Sequence, residues 1–460
     1  MVEPLSYRAH ARAILALGLP LIGSQVAQFA IHVTDTLMLG WYDTRALAAV
    51  TLAGSYWFML FVIGAGFGMA VAPMVATAEA RGDRHHVRRV VRAGMHVSLV
   101  HAVLVLPLMF WSAPVLRALG QEGALSLLAQ DYLRIACWGT LPALVVMVLR
   151  SCLSALERTW SILLVTLGAV GLNILVNHML IFGNWGAPEM GVRGAAVASV
   201  GVQVMSALLL ALHIRRVLPG HALFMRFYRL DPGALRGVFR LGLPIGLTQL
   251  SETGLFMATA VMVGWLGVDQ LAAHGIALQA VAMAFMVHVG LSNAATVRAG
   301  SAVGRGERIC LLDGARVAVA LSFGFALLMI AAFLLFPEGI IGLFLSPDDP
   351  MRGPIIGIGR SLLVVAALFQ LADATQVMAL GLLRGIGDTR VPMLIAALAY
   401  WPLGLGAGHV LGFVVGLGAV GIWLGLVVGL TVAGGLLMWR FWHLARRVGQ
   451  MPPTVAPAAG

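Results

Sequence analysis

The chain has 460 residues, 60% of them hydrophobic and only 11% charged, with a mean hydropathy of +0.93. A soluble domain is about 45–50% apolar and about 25% charged, so this composition excludes one, along with a disordered chain, a coiled coil and a disulfide-stapled secreted module. The net charge of +11 is all arginine, for the 30 basic residues include no lysine, and it stands in short clusters between apolar runs, as a topology signal does and a nucleic-acid surface does not.

A membrane-crossing helix needs roughly 20 apolar residues. Runs of that order lie at 13–37, 46–78, 92–114, 128–150, 161–183, 194–216, 238–264, 273–297, 313–336, 358–383, 390–412 and 416–438. None alternates as a barrel strand would, and a helix satisfies its own backbone in lipid. The sequence therefore predicts an all-α integral membrane protein with twelve transmembrane helices.

Arg8 and Arg12 before the first run resemble a signal peptide. That run, however, contains Pro20, Gln25, Gln28 and Asp35 and has an internal counterpart, so it reads as a span. The second run ends at Glu79 beside Arg81, which predicts a surface ion pair, and the following His85-His86 belongs to a basic loop without metal spacing. In helix five, Asn173 and Asn177 are spaced i, i+4 and share a face. Helix seven carries Glu252, helix eight Gln279 and His288, and helix ten Asp373 and Gln376. Cys137, Cys152 and Cys310 are odd in number without metal-like spacing, and read as packing residues.

With the N-terminus inside, 24 of the 30 arginines fall at inner loops and ends. These include Arg81 to Arg92, Arg150, Arg158, Arg215 to Arg240, Arg298 to Arg316 and Arg384. The outer side keeps Arg45, Arg117, Arg134, Arg193, Arg352 and Arg360, interleaved with acids such as Asp348 and Asp349. This asymmetry places both termini in the cytoplasm and requires an even number of spans.

Shifted by 224, LGLPLIGSQ at 17–25 falls on LGLPIGLTQ at 241–249, and 12 of the 37 positions from 17 to 53 are identical. Farther on, Arg81-Gly82-Asp83-Arg84 falls on Arg305-Gly306-Glu307-Arg308. The chain thus reads as two parallel six-helix bundles, 1–214 and 238–445. They are joined by a basic cytoplasmic linker at 215–237 and followed by a cytoplasmic tail at 446–460. Two such bundles suit alternating access, the working principle of a secondary transporter.

Asp35, Glu252 and Asp373 stand inside spans, where a bare carboxylate is costly and functional by default. The repeat aligns Glu252 with Gln28 and Asp35 with Thr259, so each half carries an acid of its own at a different depth. No arginine or histidine is placed to pair obviously with them, which points to a proton or a bound cation. Asn173 and Asn177 either complete a site with Asp35 or act as helix–helix glue. Gln25, Gln249, Gln279 and Gln376 raise the same question, and Gln376 is close to Asp373. No phosphate-cradling loop, metal motif or nucleophile elbow is present, which argues against an ATP-driven pump and against an enzyme.

The segments LPLIGSQVAQFAIHVTDTLMLG at 19–40, GVRGAAVAS at 191–199 and DATQVMALGLLRGIGDTRVPM at 373–393 resemble the multidrug and toxic compound extrusion (MATE) family. The acids Asp35, Glu252 and Asp373 look most like its NorM-type branch. The resemblance implies an inner-membrane, cofactor-free antiporter that exports cationic amphipathic drugs and dyes against an inward flow of Na⁺ or H⁺. It implies that Glu252 and Asp373 bind the monovalent cation, and that Asp35, with Asn173 and Asn177, serves coupling or substrate. Gln376, Phe369 and Gln279 join Asp35 as candidate substrate contacts. Some Na⁺-coupled relatives carry a tyrosine one turn before the tenth-helix acid, where Phe369 offers no oxygen. A lipid-linked saccharide flippase is the alternative, but its anionic cargo calls for arginine inside the spans. Nothing in the sequence demands a protein partner or nucleic acid, so a monomer in the bilayer is expected.

Overall fold

The computed structural model describes residues 6–345 and 351–448. Asp348 and Asp349, and most of the expected tail at 446–460, lie outside the described residues. Those described are helical or loop, without a strand among them. Six long helices make up the first half: α1 (Tyr7–Tyr42), α2 (Thr44–Ala80), α3 (Arg84–Phe110), α4 (Gly123–Ala155), α5 (Thr159–Phe182) and α6 (Val192–Val217). The second half holds α7 (Pro232–Gly264), α8 (Val268–Arg305), α9 (Arg308–Leu335), α10 (Arg352–Gly385), α11 (Arg390–Val414) and α12 (Gly418–Ala445). Eleven of the twelve are long and apolar enough to cross a membrane. The other is α7, whose middle is made polar by Gln249, Ser251 and Glu252.

The helices overrun their apolar runs. Helix α3 begins at Arg84, eight residues before the expected position 92. Asp83 caps it, its carboxylate accepting from the His86 N–H at 2.8 Å. Val87, Val90 and Val91 then bury one face of the basic first turns. The repeat extends to minor elements, because short helices at Ser112–Ala118 and Pro337–Gly342 occupy corresponding places in the two halves.

Two compact units are present, residues 23–246 and the described part of 1–22 with 247–460. They cut the chain inside α1 and α7, and the two cuts are related by the repeat offset of 224. In the first unit, α2 crosses the start of α7 at glycines: a methyl on Gly66 would strike the Gly246 backbone, and one on Gly242 would lie 2.6 Å from the Phe67 Cα. In the second, α8 crosses the start of α1 at the corresponding position, where a methyl on Gly290 would lie 2.8 Å from the Ile22 nitrogen.

The second unit is further held by hydroxyl and glycine seams. Ser292 and Thr296 of α8 donate to the Val377 and Gly381 carbonyls of α10, each at 2.8 Å. Gly404, Gly408 and Gly412 of α11 lie against Gly421, Gly425 and Gly429 of α12, with the backbones in direct contact. In the first unit, Trp57 donates to Thr140 at 3.1 Å beside the buried Leu116, Ala129 and Leu133.

One of the arginines counted at the inner ends is engaged between helices. Arg150 belongs to the buried face of α4, 8% exposed, and donates to the Ser24 hydroxyl at 3.0 Å and the Gln25 carbonyl at 3.1 Å. It ties α4 to α1 five residues before α4 ends at Ala155. The three cysteines are free, with Cys137 and Cys152 buried. Glu79 is paired as expected, but with His221 of the 215–237 connection at 3.0 Å and not with the Arg81 cluster.

Candidate functional site

In the unit 23–246, α1 brings Asp35 to the face of α5 that carries Asn173 and Asn177. Both amides are fully buried. Asn177 donates to Asp35 Oδ1 at 2.5 Å and Asn173 to the same oxygen at 3.0 Å. The second N–H of Asn177 bonds the Asn173 carbonyl at 3.3 Å, so one amide orients the other. With both donors on Oδ1, the other carboxylate oxygen is available to a third partner. Asn177 Oδ1 is buried without a partner among the described residues. Tyr132 of α4 and His32, one turn before Asp35, lie within its electrostatic reach.

The second acid site belongs to the other unit. Asp373 and Gln376, one turn apart on α10, are 1% and 0% exposed, and α7 sets Glu252 near enough for the two carboxylates to repel one another. Gln376 Nε2 donates to the Tyr400 hydroxyl of α11 at 2.5 Å, which turns its carbonyl oxygen away from that bond. That oxygen, Glu252 Oε1 and Asp373 Oδ2 are all buried without a hydrogen-bond partner among the described residues, as is Oε1 of Gln249, one turn before Glu252. An orphaned buried oxygen is expensive. Glu252 interacts with both Asp373 and Gln376, and unpartnered carboxylate and amide oxygens of this kind are donors that a proton or a hard monovalent cation would relieve.

Sequence reasoning missed two neighbours here. Tyr400 is fully buried, and it and Arg384 both interact electrostatically with Glu252. Tyr400 could have been noticed as a polar group in mid-span. In the sequence Arg384 reads only as a topology charge at the end of its helix.

The other expected residues make no hydrogen bond to either acid site among the described residues. Phe369, 1% exposed, packs edge-to-face on Phe256 and Trp423, with ring centroids 6.2 and 5.9 Å away. Gln279 on α8 is half-buried, and no hydrogen bond among the described residues ties it to either acid site. His288 is hydrogen-bonded to Ser322 at 2.8 Å. Among the described residues no cluster of three His, Cys, Asp or Glu could hold a transition metal.

A family model described as MatE matches residues 20–179 and 244–410, two segments whose starts differ by the same 224 residues as the internal repeat. The chain belongs to the MatE family. A probable multidrug resistance protein NorM of Rhizobium meliloti (strain 1021) is 44% identical to it over 449 residues, 97% of this chain and 96% of the relative. One of the same description from Agrobacterium fabrum (strain C58) is 42% identical over 96% of each. In three dimensions, an outward-facing multidrug resistance MATE family transporter of the MOP superfamily matches with a TM-score of 0.86 at 21% identity. That match covers 95% of this chain and 96% of the other. As a MatE protein the chain is a multi-pass membrane transporter, not an enzyme, and both of its acid sites lie within the segments the family model matches.

Proposed function

We propose that this MatE protein is a multidrug efflux antiporter of the cell inner membrane. It exports cationic amphipathic drugs and dyes by alternating access, driven by inward Na⁺ or H⁺. The observation that carries the reading is the Glu252–Asp373–Gln376 cluster: two carboxylates close enough to repel one another and an amide, each with an orphaned buried oxygen. Loading such a cluster with a cation removes a large electrostatic cost. Ion binding and release at Glu252 and Asp373 therefore bias the conformational equilibrium. Asp35, held by Asn173 and Asn177, serves as an anionic contact for substrate or as a second coupling group. The arginine asymmetry supports cytoplasmic termini, and a single chain carries both acid sites, so a monomer suffices.

Phe369 in place of an oxygen-bearing side chain favours H⁺ over Na⁺. The relatives named for multidrug resistance support the substrate class. In proteoliposomes, a cationic dye should move under an imposed pH gradient and less under a Na⁺ gradient, and Asp373→Asn should abolish that movement while inserting normally. Normal dye movement by Asp373→Asn would refute the coupling role. An immobile dye with the wild type would turn the reading toward the lipid-linked saccharide flippase.

A further inference from the structure

The connection between α6 and α7 folds over the first turns of α3, within the unit 23–246, and encloses a groove that neither acid site uses. Arg88, Arg89 and Arg92 of α3 face Arg226 and Arg229 of the connection. With Asp231 beside them they line a cavity of about 370 Å³. Five guanidinium groups against one carboxylate leave a formal +4.

The protein satisfies only part of this charge. Arg88 donates to the His221 carbonyl at 2.9 Å, and Arg92 to the Arg226 and Met225 carbonyls at 2.7 and 3.4 Å. Arg89 pairs with Asp231 at 3.1 Å. Each guanidinium has five N–H donors, and the buried Nε of Arg89 and of Arg92 have no partner among the described residues. Arg92 is only 7% exposed. Like charges are gathered over a partly buried floor of Arg88, Arg89 and Arg92, at a cost that an anion in the groove offsets.

We propose that this groove binds a phosphate group, carried either by an acidic phospholipid headgroup or by a soluble phosphate. Guanidinium forks match phosphate oxygens in geometry and charge. The rim favours the lipid: Tyr228 and Leu230 of the connection are 77% and 63% exposed beside the basic floor, as suits a headgroup pocket continuous with acyl chains. The lipid source rests on the reading of this face as cytoplasmic; phosphate binding itself is independent of the antiport mechanism.

The test is ligand-induced thermal stabilisation of the purified full-length protein in neutral detergent at physiological ionic strength. The additives are cardiolipin or phosphatidylglycerol, phosphatidylcholine as the neutral lipid, and inorganic pyrophosphate. Acidic lipid should raise the unfolding midpoint and phosphatidylcholine should not. The double variant Arg89→Gln, Arg229→Gln should weaken the apparent affinity about tenfold or more. Arg229→Gln alone, at an exposed side chain, should weaken it in the same direction and serves if the double variant misfolds. Arg308→Gln, at the start of α9 in the other half, should respond like the wild type. Stabilisation by pyrophosphate as well assigns a soluble source, and by lipid alone a headgroup. No shift with any phosphate, an undiminished shift in the arginine variants, or an equal loss in Arg308→Gln would overturn the site.

Discussion

At the scale of single residues, the Asp35 site is a two-donor clamp of unequal members. Asn177 is the shorter bond and also aligns Asn173, so its removal disturbs both. A hydrogen bond to a charged group is worth about 1.5–3 kcal/mol. Asn177→Ala should therefore lower gradient-driven dye efflux by about tenfold, and Asn173→Ala by less, because Asn177 still reaches Oδ1. Transport rates of the two variants in proteoliposomes check this, and equal wild-type rates would show the clamp to be helix glue. The clamp was legible beforehand because the i, i+4 spacing put both amides on one helix face. The surroundings of Glu252 were not. Tyr400 and Arg384 come from different helices, and a linear sequence carries no distance between them. Arg150 is a like case: at the end of an apolar run it reads only as an inner-end charge, and its partners Ser24 and Gln25 lie on another helix.

At the scale of elements, the spans were legible and their ends were not. Apolar length is set by the bilayer, whereas a helix ends where a cap or turn ends it. The start of α7 illustrates the point. Asp231 caps it, its Oδ1 accepting from the Ala234 N–H at 3.0 Å, while its other oxygen pairs with Arg89. The Ala234 N–H, followed by the Arg89 charge, holds the Asp231 carboxyl below its usual 3.8. A depressed carboxylate stabilises the fold fully above its unfolded pKa, and that contribution is lost as the pH falls through the folded value. Asp231→Asn keeps a capping oxygen and loses the charge. It should unfold at a lower temperature than the wild type at neutral pH, and the difference should shrink below about pH 4. A deficit that persists unchanged at low pH would mean that Asp231 acts by shape and not by charge.

At the scale of the whole molecule, duplication makes a demand that no single site does: equivalent positions must do equivalent work. The acids break the symmetry, since Glu252 corresponds to Gln28 and Asp35 to Thr259. The crossings keep it. Gly66 of α2 against the start of α7, and Gly290 of α8 against the start of α1, lie 224 residues apart and bring two backbones together where a Cβ does not fit. The repeat was visible in LGLP at 17–20 and 241–244, but the reason for its glycines was not, because close approach is a property of two helices at once. Gly66→Ala and Gly290→Ala should each destabilise the protein by about 1–3 kcal/mol through overpacking and should depress efflux alike. Gly201→Ala and Gly324→Ala meet nothing within 4 Å, so they should be neutral or slightly stabilising through helix propensity. Thermal unfolding in detergent with dye efflux in proteoliposomes separates the pairs. If Gly66→Ala is crippling and Gly290→Ala tolerated, the two halves have diverged in packing as they have in their acids, and the duplication survives only as ancestry.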